Sequence, residues 1–219
     1  MSSAEPLMTA AEAAAYWDTR HRRQDELRSG GHIGLDRAGN EMFYARRLGT
    51  LLEIIGDGAN PADPLFLLDA GCGKGSFAHA LARCGHRVDA IDASPSAISS
   101  CRRRAEETGP RFFVSSLSAW RSPFLYDVVY SIDVLFHILD DAEWEASLTN
   151  LASLVRLAGT LVVTDEGELS RTQRGTYILH RAREEYCRAV ERRGLVLREF
   201  RPYGFRENRV GFYVFTRTH

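Results

Sequence analysis

The chain has 219 residues, 44% of them hydrophobic and 26% charged, which suits one α/β domain with a full apolar core. A formal net charge of −1 lacks the basic surplus of a nucleic-acid binder, and Arg20-His21-Arg22-Arg23 and Arg102-Arg103-Arg104 read as solvated helix faces. Four cysteines form neither a CxxC pair nor a metal-ligand spacing, no run approaches the roughly 20 apolar residues of a membrane span, and residues 1–15 lack a signal-peptide pattern. The expectation is a cytoplasmic protein with free thiols, no bound metal, no nucleic-acid partner and no membrane partner, as a monomer or homodimer.

Residues 1–9 read as a frayed leader. Residues 9–27 have a helical pattern, broken by Gly30-Gly31. Residues 39–56 form a second predicted helix, with Phe43, Leu48, Leu51, Leu52 and Ile55 on one side. Glycines and prolines between 56 and 64 mark a loop. There an N-terminal helical cap or lid, residues 1–56, gives way to a core domain, residues 57–219. Leu65-Phe66-Leu67-Leu68 is continuously apolar, as in the buried centre of a parallel sheet. A glycine loop and a helix to about Cys84 follow, then a strand over 87–91. Ser94-Pro95 starts the next helix, with serine as cap and proline at the first helical position. Strands are predicted over 111–114, 127–132 and 160–164, and helices over 141–155 and 181–193. The final apolar runs, 195–202 and 210–217, have no helix between them and can only pair as an antiparallel hairpin. The alternation predicts an α/β fold with a doubly wound, mostly parallel seven-stranded sheet and a C-terminal antiparallel hairpin.

The most informative stretch is Asp69-Ala70-Gly71-Cys72-Gly73-Lys74-Gly75, where a buried strand turns into a helix. Glycines there permit unusual dihedrals and close approach of a ligand to the backbone. Asp92 ends the second strand, where an acidic side chain accepts hydrogen bonds from a ribose diol. Asp69 just before the loop suits a cofactor with a cationic centre and would repel a pyrophosphate. The sixth loop position is Ser76, where a dinucleotide fingerprint has Gly or Ala. The local chemistry therefore favours S-adenosylmethionine over NAD.

These segments together resemble the class I, Rossmann-like, S-adenosylmethionine-dependent methyltransferases of the small-molecule type. LLDAGCGKGSFAHALA resembles their first motif, VDAIDASPSAI the second, YDVVYSIDVLFHI the fourth-strand motif and VRLAGTLVVTDE the fifth-strand segment. The resemblance covers about residues 64–217. It implies that Asp69, Gly71, Gly73 and Gly75 surround the methionine half of the cofactor, that Asp92 holds the ribose and that Ala93 lies beside the adenine. Ser116 and Leu117 would flank the adenine edge, although many members have an aspartate where Ser116 stands. Ser131 and Ile132 would line the cofactor near its sulfonium. Arg47 is the match for an arginine that binds the methionine carboxylate, and Tyr16 and Trp17 match aromatic positions of the cap. His137 follows the fourth strand, as a general base or as a packing residue. His79 reads as structural. Acidic residues at Asp133, Asp165 and Glu166 invite comparison with divalent-cation sites, but the rest of that pattern is missing and Glu166 is expected to face solvent.

The implied activity is transfer of a methyl group to an N, O or C atom of a small-molecule acceptor, with natural-product biosynthesis one setting. Tyr177, His180 and Arg183 are expected on the far wall, which suggests an acceptor with a charged or hydroxylated portion. Two alternatives remain: a cofactor-binding regulatory protein that has lost catalysis, and a protein or RNA methyltransferase.

Overall fold

The computed structural model describes residues 5–56, 64–104 and 109–219. Most of the loop expected between 56 and 64, and with it the boundary between cap and core, lies outside the described residues.

Three helices open the chain: α1 (Ala10–Arg23), α2 (Glu26–Gly30) and α3 (Arg37–Ile55). Thr9 caps α1 in a reciprocal box with Glu12. The single helix expected over 9–27 is two. Gln24 is extended, and Asp25 starts α2 by accepting the Arg28 N–H. An aspartate inside a helical pattern can cap a new helix, and here it does.

The sheet then forms from β1 (Phe66–Ala70), β2 (Arg87–Asp92), β3 (Arg111–Val114), β4 (Tyr126–Ser131), β5 (Val155–Glu166), β8 (Leu195–Pro202) and β9 (Val210–Arg217). Between the strands lie α4 (Ser76–Arg83), α5 (Pro95–Arg102), α6 (Asp141–Ser153) and α7 (Arg183–Glu191). The strand order is β3-β2-β1-β4-β5-β9-β8. The first five strands are parallel, and β9 inserts antiparallel between β5 and β8. This is the doubly wound seven-stranded sheet with a closing hairpin that the alternation predicts. Ser94 caps α5 with Pro95 at its first turn, as expected.

Two features depart from the expectation. The fifth strand is longer than 160–164, because a register shift opposite Tyr126 and Val128 lets it begin at Val155. A separate hairpin, β6 (Thr172–Arg174) with β7 (Ile178–His180), follows it. Its three-residue strands are too short to show a period.

Alternate residues of each strand feed opposite faces of the sheet. Leu67, Val88, Val128 and Val162 pack with Phe43, Leu51, Phe77 and Ile98. Leu68, Ile91, Val129 and Val163 pack with Leu148, Leu151, Tyr186 and Val190. Strand order reverses between β1 and β4, and a crevice opens beyond the carboxyl ends of the strands at that point. The helices α1 and α2 lie across this crevice.

Candidate active site

The glycine loop bends tightly over the end of β2. The N–H groups of Gly71 and Cys72 both donate to the Ile91 carbonyl, at 2.8 and 2.9 Å. Gly71 has φ 87°, and a Cβ there would collide with the Val134 side chain, so only glycine fits. The Asp92 carboxylate is fixed by backbone donors on both oxygens. Gly73 N–H donates to Oδ2 and Ser94 N–H to Oδ1, each at 2.8 Å. A carboxylate oxygen can accept more than one hydrogen bond, so Asp92 keeps acceptor capacity toward the cavity it lines.

Asp69 sits behind this loop, 3% exposed. Among the described residues its Oδ2 has no partner of hydrogen-bonding geometry. Burial pushes its carboxyl up to about 8; the nearby Tyr130 hydroxyl opposes the shift and the Asp92 carboxylate adds to it. The site thus holds a buried acid whose charge is costly until a cation arrives.

Across the crevice, Arg47 of α3 is 1% exposed and is ion-paired with Asp133. Asp133 also accepts from the Tyr203 hydroxyl at 2.7 Å, and its backbone N–H donates to Thr164 Oγ1. The Arg47 guanidinium lies 3.9 Å from the Phe43 ring centroid and 4.4 Å from that of Tyr44. Among the described residues its Nη2 is buried with no partner of hydrogen-bonding geometry. One donor of a buried cation is therefore left over on the cavity wall.

The cap closes the remaining side. Asp18 of α1 accepts from Ser94 Oγ at 2.7 Å and from Ser96 N–H at 3.2 Å. Lys74 in the glycine loop donates to the Gln24 carbonyl at 2.6 Å, and Ser76 to Glu26 at 3.2 Å. His21 is 6% exposed, its Nδ1 has no partner among the described residues, and burial holds it below the ordinary histidine range. Ala10, Ala13, Ala14 and Trp17 share one helical face, which lines the cavity.

His137 stands in the short 3-10 turn Leu135–His137 after β4, against Trp17 at 4.5 Å between ring centroids. Its Nδ1 lies 2.8 Å from the Tyr177 carbonyl oxygen. A carbonyl only accepts, so Nδ1 carries the proton and the neutral ring keeps its lone pair on Nε2. Burial lowers its pKa to about 4, partly offset by the Tyr177 bond.

Gly71, Gly73, Asp92, Ala93, Ser116, Leu117, Ile132, Arg47 and His137 thus line one cavity of about 300 Å3. Four other expected site residues do not. Gly75 is the left-handed first residue before α4, tight against Phe112. Ser131 is buried, and its hydroxyl ties β4 to the Ala70 carbonyl at 2.7 Å. Asp69 lies behind the loop. Tyr16 packs on Trp17 and Tyr177 outside the wall, because it faces away from the alanine stripe.

Tyr177, His180 and Arg183 are not on the far wall. His180 is buried, with Nδ1 2.5 Å from Asp165, where Tyr186 also bonds. Glu166 does not face solvent; it is buried and paired with Arg174 at 2.6 Å. The cavity lining is instead largely apolar, and includes Ile138, Leu139 and the α1 alanines. The cavity residues that sequence reasoning missed include His21, Tyr44, Phe77, Val134, Asp140 and Glu143. Phe77 and Val134 lie inside the first and fourth-strand motifs, and His21 shares a helical spacing with Ala10, Ala14 and Trp17, whereas no such signal marked Tyr44 or Glu143.

A parallel sheet that turns at a glycine loop beside a strand-end aspartate is a nucleoside-cofactor-binding architecture. Comparison with known proteins narrows the class. Residues 67–159 match the family model of a methyltransferase domain. The chain is 39% identical over 107 residues to the ubiquinone biosynthesis O-methyltransferase of Methylocella silvestris, which covers 47% of this chain and 37% of that protein. It therefore spans well under two thirds of the length of that relative.

Among solved structures it superposes on magnesium protoporphyrin IX methyltransferase from Synechocystis PCC 6803 with bound S-adenosylhomocysteine, with a TM-score of 0.75 and 20% identity over 96% of this chain and all of that one. It also superposes on the N-methyltransferase NodS from Bradyrhizobium japonicum WM9 in complex with S-adenosylhomocysteine, with a TM-score of 0.67 and 18% identity over 94% of this chain and 99% of that one. Residues 67–159 thus resemble a methyltransferase domain, and the chain shares its fold with these S-adenosylhomocysteine-bound methyltransferases.

Proposed function

We propose that this chain binds S-adenosylmethionine and transfers its methyl group to a small-molecule acceptor held between the strand ends and the cap. The carrying observation is Asp92, whose two oxygens are fixed by the Gly73 and Ser94 N–H groups at the edge of a left-handed glycine loop. That arrangement presents a rigid carboxylate to a ribose diol. The unpaired atoms fit the rest of the cofactor. The free Nη2 of Arg47 suits a carboxylate, and the buried Oδ2 of Asp69 offers compensating charge to a cationic centre.

When bound, S-adenosylmethionine supplies a methyl group on a positively charged sulfur, open to in-line displacement. The protein's work is then alignment and exclusion of water. Gly71 and Gly73 would allow close approach of the cofactor to the backbone, Ala93, Ser116 and Leu117 would border its base, and Ile132 would give an apolar wall near its methyl group. Gly75 and Ser131 act through the wall they support, and Tyr16 through Trp17. His137, neutral with its Nε2 lone pair free, takes the proton from a hydroxyl acceptor. Residues 1–56 act as a lid over the core domain, residues 57–219. The named activity of the curated relative supports a small organic acceptor.

Calorimetric titration with S-adenosylmethionine, S-adenosylhomocysteine and NAD tests this function, followed by methyl transfer to a panel of small phenols and amines. Binding of the first two ligands without NAD, and turnover of at least one acceptor, are expected. NAD binding without a response to S-adenosylhomocysteine refutes the proposal.

A further inference from the structure

At the end of the cavity formed by the loop after β3 and the start of α6, hydroxyl groups converge on one carboxylate. Ser118 Oγ donates to Glu143 Oε1 at 2.6 Å, and Ser147 Oγ approaches the same oxygen at 3.4 Å. Ser116 Oγ lies 3.1 Å from Ser118 Oγ and also accepts the Ala119 N–H. Glu143 occupies the third position of α6, where an acid commonly reaches back to the N-cap backbone. Here Asp140 Oδ1 caps the helix by accepting the Glu143 N–H at 2.8 Å. The Glu143 carboxylate is turned to the serines and lines the cavity with Ser116, Leu117 and Ala93. Among the described residues no cation pairs with it, and its hydrogen bonds all fall on Oε1.

A half-buried carboxylate on a cavity wall, held at one oxygen and free at the other, calls for an N–H or O–H donor. The geometry of the cofactor supplies one. With its ribose on Asp92 and its amino-acid end toward Arg47, the base must continue past Ala93 toward Ser116, Leu117 and Glu143. The outer edge of adenine carries an exocyclic amine, a donor. A hypoxanthine base carries a carbonyl oxygen at that position, which a carboxylate repels.

We infer that Glu143 reads the purine. Its Oε2 accepts the exocyclic amine of adenine, Ser118 holds its rotamer, and Ser116 leaves room on that edge where a longer acidic side chain would compete. The acidic partner of the base thus comes from α6, not from the loop after β3. The inference rests on the cofactor reading above.

The test is titration of the full chain with S-adenosylhomocysteine and with S-inosylhomocysteine, in which a carbonyl oxygen replaces the amine. The native protein is expected to prefer the adenosyl ligand by roughly tenfold to a hundredfold, the scale of one charge-assisted hydrogen bond. Glu143→Gln should lose most of that preference, because an amide can donate to the carbonyl. Glu143→Asp, which keeps charge but loses reach, should keep a smaller ratio. Equal affinity of the native protein for the two ligands overturns the assignment, as does an unchanged ratio in Glu143→Gln. The native ratio needs no variant to fold. Failure of the native protein to bind either ligand overturns the cofactor reading, and this inference with it.

Discussion

The two walls of the cavity are held by different means. The sheet-side wall is set by backbone: Gly71, Gly73 and Gly75 at φ 87°, 52° and 79°, and two N–H groups on Asp92. The cap-side wall, α1 and α2, hangs on side chains that bridge 50 to 78 residues of sequence: Lys74 on Gln24, Asp18 on Ser94 and Ser96, and Arg104 on Glu26. Exposed pairs of this kind contribute roughly 0–1 kcal/mol each. The backbone wall persists as long as the sheet does, whereas the cap can lift at small cost. This division suits an enzyme that must keep its cofactor geometry fixed and still admit an acceptor.

Removing the cap is the strongest way to break the contrast. Deletion of residues 1–38 takes away Trp17, His21 and the alanine face but leaves Arg47 and the glycine loop. Turnover should fall to background while S-adenosylhomocysteine still binds, more weakly, in calorimetry. Full activity of the shortened chain would rule out the lid.

His137 lies where the walls meet. For a hydroxyl acceptor, His137→Ala should lower turnover roughly 10²–10⁴-fold, the range for a lost general base. An amine acceptor should show much less. Because burial holds this imidazole at about 4, it stays in its basic form where an ordinary histidine, at 6.5, has already protonated. The pH profile of kcat should therefore show no limb near 6.5 from this residue. The same shift affects stability. Between pH 6.5 and 4 the unfolded chain binds a proton that the folded chain refuses, so stability falls on acidification through that window. The slope is at most about 1.4 kcal/mol per pH unit. His137→Gln should flatten it in urea unfolding at pH 5 against pH 7, and an unchanged slope contradicts the buried neutral ring.

Asp92→Ala tests the backbone wall alone. Loss of bonds to a charged acceptor, partly replaced by water, should weaken S-adenosylhomocysteine binding roughly tenfold to a hundredfold. Unchanged affinity means that the ribose is held elsewhere. The smallest effect belongs to the cap latch. The Ser94 hydroxyl bond holds the Asp18 carboxyl below the usual range, with burial opposing it and Ser96 helping. Asp18→Ala should cost about 1 kcal/mol or less in a partly exposed setting. It should speed limited proteolysis within residues 5–36 and leave the thermal midpoint of the core nearly unchanged. Proteolysis at the native rate would show that the cap is held by its apolar face instead.

The parts of this protein that the sequence by itself determined are those whose physics is local. A strand that runs into glycines and is followed by a second strand ending in Asp92 encodes its own turn and its own acceptor. Strand and helix periods gave the layers, and the lack of a helix between 202 and 210 forced the antiparallel closure. What only the tertiary structure decided is everything that joins distant residues through side chains. Arg47 meets Asp133 across 86 residues, and Glu143 turns to Ser118 and not to its own helix cap. Tyr16 loses the cavity to its neighbour Trp17 because a helix shows a pocket only one face. His180 is drawn into a buried pair with Asp165, and the buried Glu166 into one with the half-exposed Arg174. No period or spacing records such pairings. They arise because buried charges need partners, and the fold alone determines which partners are within reach.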